Sequence, residues 1–150
     1  MAYEQLKLEN QLCFPVYAAS RLIIREYQPF LDKLGITYPQ YLVLMILWEK
    51  DEISVNEIAD KLILNTNTVT PLLKRMEKLS LLLRERSSKD ERKVIVKLSS
   101  IGKKLEEEAK RIPGELADKL LKGALKIEDL IKLKTELDLI INMLSRKENL

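Results

Sequence analysis

The run Asn65-Thr66-Asn67-Thr68-Val69-Thr70-Pro71-Leu72-Leu73-Lys74-Arg75-Met76-Glu77-Lys78-Leu79 decides the fold. Val69, Leu72, Leu73, Met76 and Leu79 recur at i, i+3, i+4, i+7 and i+10, the apolar stripe of a half-buried helix. Asn67, Thr70, Pro71, Lys74 and Lys78 fall on the other face, and Asn65 or Thr66 is a suitable N-cap. The period then changes to two. Leu81 to Arg86 and Lys93 to Leu98 flank the polar stretch Ser87 to Arg92, and Val94, Val96 and Leu98 alternate with Lys93, Ile95 and Lys97. That pattern predicts a two-stranded hairpin with a charged tip. Upstream, Ser54-Val55-Asn56-Glu57 reads as a capping box opening a short helix with Ile58, Ala59 and Leu62 turned inward. A short helix, a turn, a polar-faced helix and a charged hairpin predict a winged helix-turn-helix in a mainly α chain with a small β-hairpin.

The residue types fit nucleic-acid chemistry. Thr66, Asn67, Thr68 and Thr70 put small hydrogen-bonding groups on the first half of the second helix, where a major groove is read. Lys74 and Arg75 follow for phosphate or guanine. The hairpin tip carries Lys89, Asp90 and Arg92, and an arginine there is drawn into the negative potential of a minor groove. A Thr-rich helix start alone is a common cap; the order of the three elements carries the reading. Charge agrees: between Lys74 and Lys104 stand eleven Lys/Arg and four Asp/Glu, on a chain whose net charge is only +3, so the remainder is net negative. A basic segment on an acidic body suits phosphate binding by counterion release, although charge alone favours the plainer reading of a solvated face.

Working outward, Asn10 or a neighbour opens a helix to about Lys33, with Pro15 and Pro29 starting, kinking or ending parts of it and Gly35 breaking it. Thr37-Tyr38-Pro39-Gln40 is a capping box with proline in the first turn, followed by an apolar helix from Tyr41 to Lys50. From Ser99 a helix runs to about Lys122, interrupted at Pro113-Gly114, and another covers Glu128 to Leu144. Ile127, Leu130, Ile131, Leu137, Ile141 and Leu144 share one face of that last helix. Nothing later in sequence covers it, so a second subunit is the expected partner. The chain is expected to be one domain, 1–150, with a DNA-binding lobe at about 36–99 and a dimerisation lobe built from 1–35 and 100–150.

Composition excludes several classes. The 150 residues include no histidine and one cysteine, Cys13. An intrachain disulfide and a Cys–His catalytic pair are therefore impossible, and an ordinary zinc site is not expected; no cofactor, metal or catalytic residue is predicted. The longest uncharged run, Leu34 to Trp48, contains Thr37, Pro39 and Gln40 and is too short to span a membrane. The N-terminus lacks a basic stretch followed by an apolar core, so a cytoplasmic location is expected.

The segments Leu72-Leu73-Lys74-Arg75-Met76-Glu77, Asp90-Glu91-Arg92-Lys93 and Val96-Lys97-Leu98-Ser99 resemble the reading helix and wing of MarR-family repressors. That family's Asp-x-Arg wing pair corresponds to Asp90 and Arg92. The resemblance implies a homodimer that binds a pseudo-palindromic double-stranded operator. One departure is Lys78-Leu79-Ser80, where the family prefers glycine; a left-handed serine costs about 1 kcal/mol. The other is the last helix, which lacks a good N-cap. The stretches around Cys13 (Asn10 to Ala18) and from Leu34 to Tyr41 are similar to the organic-hydroperoxide-sensing branch, which uses one N-terminal cysteine. This resemblance implies that Cys13 is the sensor, that two tyrosines of the partner subunit, at Tyr27 and Tyr38, hold its thiolate, and that organic hydroperoxide is the signal. The two-cysteine type of the family has a second, C-terminal cysteine that is absent here, so a mixed disulfide with a low-molecular-weight thiol, or over-oxidation, is the expected product.

Residue chemistry agrees in part. Cys13 lies within a turn of a helix start, where free N–H groups and the dipole favour a thiolate, and Tyr17 follows at i+4. Tyr27 is about 21 Å further along a straight helix, so it reaches a cysteine only across an antiparallel dimer. A lone cysteine beside aromatics is also often a small buried hydrophobe. Alternatives therefore stay open: a repressor responding to a small aromatic ligand with Cys13 merely packed, a thiol peroxidase, and a structural chromatin protein.

Overall fold

The computed structural model describes residues 3–145. Two short 3-10 turns, Glu4–Leu6 and Leu8–Asn10, precede helix α1, Cys13–Leu34. Asn10 does not cap α1: its side-chain amide donates to the Glu4 carbonyl within the preceding turns (2.7 Å). α1 starts without a side-chain cap, carries Pro29 inside it, and ends on Gly35 at φ 69°, the left-handed conformation glycine adopts without strain.

Helix α2, Tyr38–Glu49, opens with the expected capping box. Thr37 Oγ1 accepts from the Gln40 amide (3.4 Å), while Gln40 Oε1 accepts from the Thr37 amide (3.0 Å). Strand β1, Ile53–Ser54, leads into α3, Val55–Leu62. Ser54 caps α3 by accepting from the Glu57 amide (3.1 Å), so half of the anticipated capping box is formed. Helix α4, Thr66–Lys78, is capped by Asn65, and strands β2, Leu82–Arg86, and β3, Val94–Leu98, make the hairpin. The sheet has three antiparallel strands in the order β1-β3-β2, with Ile53 facing Val96 and Arg84 facing Val96 from the other side. β1 was not foreseen: two residues are too short to show a period of two.

Helices α5, Ser100–Ala109, α6, Ile112–Leu120, and α7, Ile127–Ser145, complete the chain. The break between α5 and α6 falls at Lys110-Arg111. Pro113 sits in the first turn of α6, where its missing N–H costs nothing, and so starts that helix rather than interrupting it. Ser80 adopts φ 60°, the left-handed turn expected after the reading helix. Asp129 supplies α7's start with a partner by accepting from the Lys126 amide (2.8 Å).

The core lies where α2, α3, α4 and the sheet meet. Val43, Leu44, Leu47, Ile58, Val69, Leu73, Met76, Leu82 and Val96 are fully or almost fully buried there, with Leu31 from the end of α1 and Ile112 from the start of α6. Leu79, placed in the stripe by spacing, is instead half exposed at the C-cap of α4. Outside this core the picture reverses. Leu31 is the one buried residue of α1, and α7 has none among the described residues.

The root of the hairpin is tied down tightly. Ser99 Oγ donates to the Ser80 carbonyl (2.5 Å) and accepts from the Gly102 amide (3.0 Å), and Trp48 Nε1 donates to the Gly102 carbonyl (3.0 Å). The Asp51 carboxylate accepts from the Leu98 amide (2.9 Å), fixing the end of β3 to the α2–β1 corner.

Candidate nucleic-acid interface and thiol site

Asn65 Oδ1 accepts from the Thr68 amide (3.0 Å) and from the Thr68 hydroxyl (3.4 Å), which starts α4 sharply and leaves Thr66, Asn67 and Thr68 on its exposed first turn. Thr66, Thr70 and Arg92 line one cleft of about 180 Å³ together with Asn56 and Arg84, so the reading helix and the wing present a shared surface. Lys74, Arg75 and Lys89 lie exposed outside that cleft. At the wing tip the Arg92 side chain is 91% exposed yet held in place: Nε and the backbone amide both donate to Asp90 Oδ1 (3.1 Å each), and Nη2 donates to Oδ2 (3.3 Å). Those hydrogen bonds from Arg92 hold the Asp90 carboxyl below its ordinary range. Asp90 therefore stays ionised and holds the arginine in shape, which reduces the side-chain entropy that Arg92 has left to lose in a further contact.

Sequence reasoning missed a second arginine contact. Glu77 on α4 accepts from the Arg84 backbone amide through Oε2 (2.9 Å) and from its guanidinium through Oε1 (3.2 Å). This pair fixes the angle between reading helix and hairpin. Its residues are seven apart and cross a turn, so helical spacing gave no sign of it.

Cys13 is exposed as the first residue of α1. Tyr17, one turn on, is 62% exposed, with the Arg21 guanidinium 4.6 Å above its ring. Tyr27 and Tyr38 come together with ring centroids 5.0 Å apart, and Tyr41 completes the cluster at 5.8 and 6.3 Å from them. The cluster lies well away from Cys13 of the same chain, because α1 is continuous and its rise separates Cys13 from Tyr27 by about 21 Å. Tyr41, which the sequence set apart from the other two, is 2% exposed and packs edge-on to Trp48. Burial, with the neighbouring phenols, pushes Tyr27 up to about 12, and burial also raises Tyr38 and Tyr41. All three phenols thus remain protonated donors at any physiological pH.

A capped, polar-faced helix joined by a fixed angle to a charged three-stranded wing defines a winged-helix DNA-binding regulator. The profile described as "Transcriptional regulator SarA/Rot" matches residues 25–109. Over 145 residues the chain is 44% identical to the organic hydroperoxide resistance transcriptional regulator of Bacillus subtilis (strain 168), covering 97% of each. The chain belongs to the SarA/Rot family of MarR-type transcriptional regulators, in the organic-hydroperoxide-resistance branch. Among solved structures, reduced AbfR bound to DNA superposes with a TM-score of 0.77 at 36% identity, covering 95% of this chain and 98% of that one. Disulfide-formed AbfR superposes with a TM-score of 0.63 at 37% identity, covering 92% and 95%. Among the described residues, no helix is long and apolar enough to cross a membrane.

The wing makes a testable contrast. Arg92→Ala is expected to weaken operator binding by about 1–3 kcal/mol, the usual worth of a groove contact, while Lys103→Ala on α5 removes at most a salt-screened phosphate interaction. Fluorescence anisotropy at fixed salt measures both; equal small losses would sink the wing assignment.

Proposed function

We propose that the protein is a cytoplasmic homodimeric repressor that holds a pseudo-palindromic double-stranded operator while Cys13 is reduced and releases it when organic hydroperoxide oxidises Cys13. The observation that carries this reading is the separation along α1. The chain's sole cysteine stands exposed at one end, and a paired set of phenolic donors, Tyr27 and Tyr38, stands near the other. An antiparallel second copy of α1 brings one subunit's phenols to the other's thiol. The uncovered apolar residues support such a dimer: Phe14, Val16 and Leu22 on α1, and Ile131, Ile141 and Leu144 on α7, are 40 to 74% exposed in the single chain. Apolar faces of that extent are interface surfaces.

On this reading residues 1–35 and 100–150 form the dimerisation lobe and about 36–99 the DNA-binding lobe. Thr66, Asn67, Thr68 and Thr70 face base edges, Lys74, Arg75 and Lys89 meet phosphates, and Arg92, shaped by Asp90, enters the minor groove. Tyr17 lies beside the thiol on its own helix. In the sensing step the Cys13 thiolate attacks the terminal peroxide oxygen. An S–O bond forms, the O–O bond breaks, and the alcohol departs with a proton, leaving a sulfenic acid. A low-molecular-weight thiol then condenses with that sulfur, forming an S–S bond and releasing water. The names of the relatives support the hydroperoxide signal and the DNA partner, one being an organic hydroperoxide resistance regulator and another captured on DNA both reduced and overoxidized.

The tyrosines supply the test. Each phenol that donates to the thiolate contributes a charge-assisted bond worth about 1.5–3 kcal/mol. Tyr27→Phe and Tyr38→Phe are therefore expected to slow hydroperoxide oxidation of Cys13 at neutral pH by about tenfold or more, with DNA affinity of the reduced protein little changed. Tyr41→Phe keeps the ring packing and serves as control. Stopped-flow rates that match wild type in all three variants would reduce the tyrosines to core packing.

A further inference from the structure

Ile63 ends α3 in a left-handed turn, its amide donating to the Asp60 carbonyl (3.2 Å) and the Leu64 amide to the Ala59 carbonyl (3.0 Å); the fold uses that turn but does not need a β-branched residue in it. As the C-cap of α3 it has φ 57° and ψ 42°, a left-handed geometry unfavourable for a β-branched residue, at a turn where helix-turn-helix units often carry glycine. Its side chain is 56% exposed and that of Leu64 44% exposed, so core packing does not offset the strain. An exposed β-branched side chain kept at a turn that glycine or asparagine would fill without strain points to a role outside the fold.

The surroundings indicate which role. Ile63 and Leu64 line a groove of about 750 Å³ along the outer face of α3 and the start of α4, with Asn56, Asp60 and Thr66; Ser145 at the end of α7 lines it as well. Asn56 and Thr66 also line the cleft that contains Arg92, so the groove is continuous with the surface assigned to DNA above. Asp60 restricts what part of DNA approaches. A carboxylate repels a phosphate but is compatible with base edges, where it accepts from a cytosine amino group. The one apolar group that bases offer in the major groove is the thymine C5 methyl.

We propose that Ile63, with Leu64 beside it, is a base-reading residue that packs on a thymine methyl in each operator half-site. This deepens the DNA-binding reading above and rests on it.

Ile63→Asn tests the proposal, since asparagine tolerates the left-handed conformation and lacks the apolar contact. A duplex selected from a random pool by the reduced wild-type protein serves as operator, and each thymine in turn is replaced by deoxyuridine. Wild type is expected to lose about fourfold in affinity at the contacted thymine, the worth of one buried methyl. Ile63→Asn is expected to lose nothing there and to melt no lower than wild type. Wild type indifferent to every deoxyuridine, or a variant with an unchanged penalty, overturns the proposal. So does a variant that melts lower while binding normally, which makes Ile63 a packing residue or a seat for the end of α7. Failure of the reduced wild type to select any sequence brings down the DNA reading itself, whereas selection without methyl dependence brings down only this inference.

Discussion

Cys13→Ser is expected to bind the operator as tightly as wild type and to stay bound when organic hydroperoxide is added. Serine is close in size to cysteine and keeps a hydroxyl able to accept from donors around it, so the reduced state is preserved. It has no sulfur to form a sulfenic acid or a mixed disulfide, so the switch is lost outright rather than weakened. Cys13 is exposed and contributes nothing to the core of its own chain, and the melting temperature should therefore shift little. An electrophoretic shift titrated with hydroperoxide measures both halves. Loss of DNA binding in untreated Cys13→Ser would make the residue structural. A hydroperoxide response that survives the substitution would instead favour a ligand-type regulator.

The second large effect concerns the root of the wing. Gly102→Ala is expected to destabilise the protein by about 2–3 kcal/mol. A Cβ at Gly102 would sit 2.2 Å from the Leu81 carbonyl oxygen and 3.2 Å from its carbon, and backbone cannot give way as a side chain does. The same carbonyl accepts from the Ser99 amide, and the Gly102 carbonyl accepts from Trp48, so any shift disturbs several bonds. Alanine's better helix propensity offsets at most about 1 kcal/mol of this. Gly114, also helical, has nothing within 4 Å of its would-be Cβ, and Gly114→Ala should be neutral or mildly stabilising. Urea denaturation of both variants decides: equal midpoints would mean that the wing root yields easily.

Sequence carried the local elements well because their signals are local. The stripe Val69, Leu72, Leu73 and Met76, the alternation in Val94 to Leu98, and the boxes at Thr37 and Ser54 each lie within a dozen residues, and the helices and hairpin form where those patterns stand. What failed to show was pairing at a distance. β1 consists of Ile53 and Ser54, and its pairing is defined by β3, more than forty residues later. Tyr41 joins Tyr27 and Tyr38 only because α1 packs on α2, and Trp48 meets Gly102 across 54 residues. Leu79 matched the helical period but met the left-handed turn at Ser80, which turns the chain out of the stripe. For Ile63 no residue-level signal existed, since a β-branched residue is the one least expected at positive φ.

The proposed thiol site was read by a different route. Cys13 was singled out as the sole cysteine near a helix start, and Tyr27 and Tyr38 through resemblance to the hydroperoxide-sensing branch. The structure keeps the separation on which that reading depends: one unbroken 22-residue helix holds Cys13 and Tyr27 apart, so the proposed thiolate contact needs a second subunit. On the DNA side, the candidate residues came from helix position and charge. The Glu77–Arg84 pair that sets the angle of the wing depended on the hairpin folding back against α4.

The most direct test of the central claim combines intact-protein mass spectrometry with a DNA-shift assay on the same wild-type samples. These are treated with one equivalent of organic hydroperoxide, with and without a low-molecular-weight thiol. The account predicts that operator release rises in step with modification of Cys13. The adduct should carry the mass of one thiol per subunit when thiol is present, and of added oxygen when it is not. Release without any mass change at Cys13, or full modification of Cys13 with the operator still bound in every state, would contradict it.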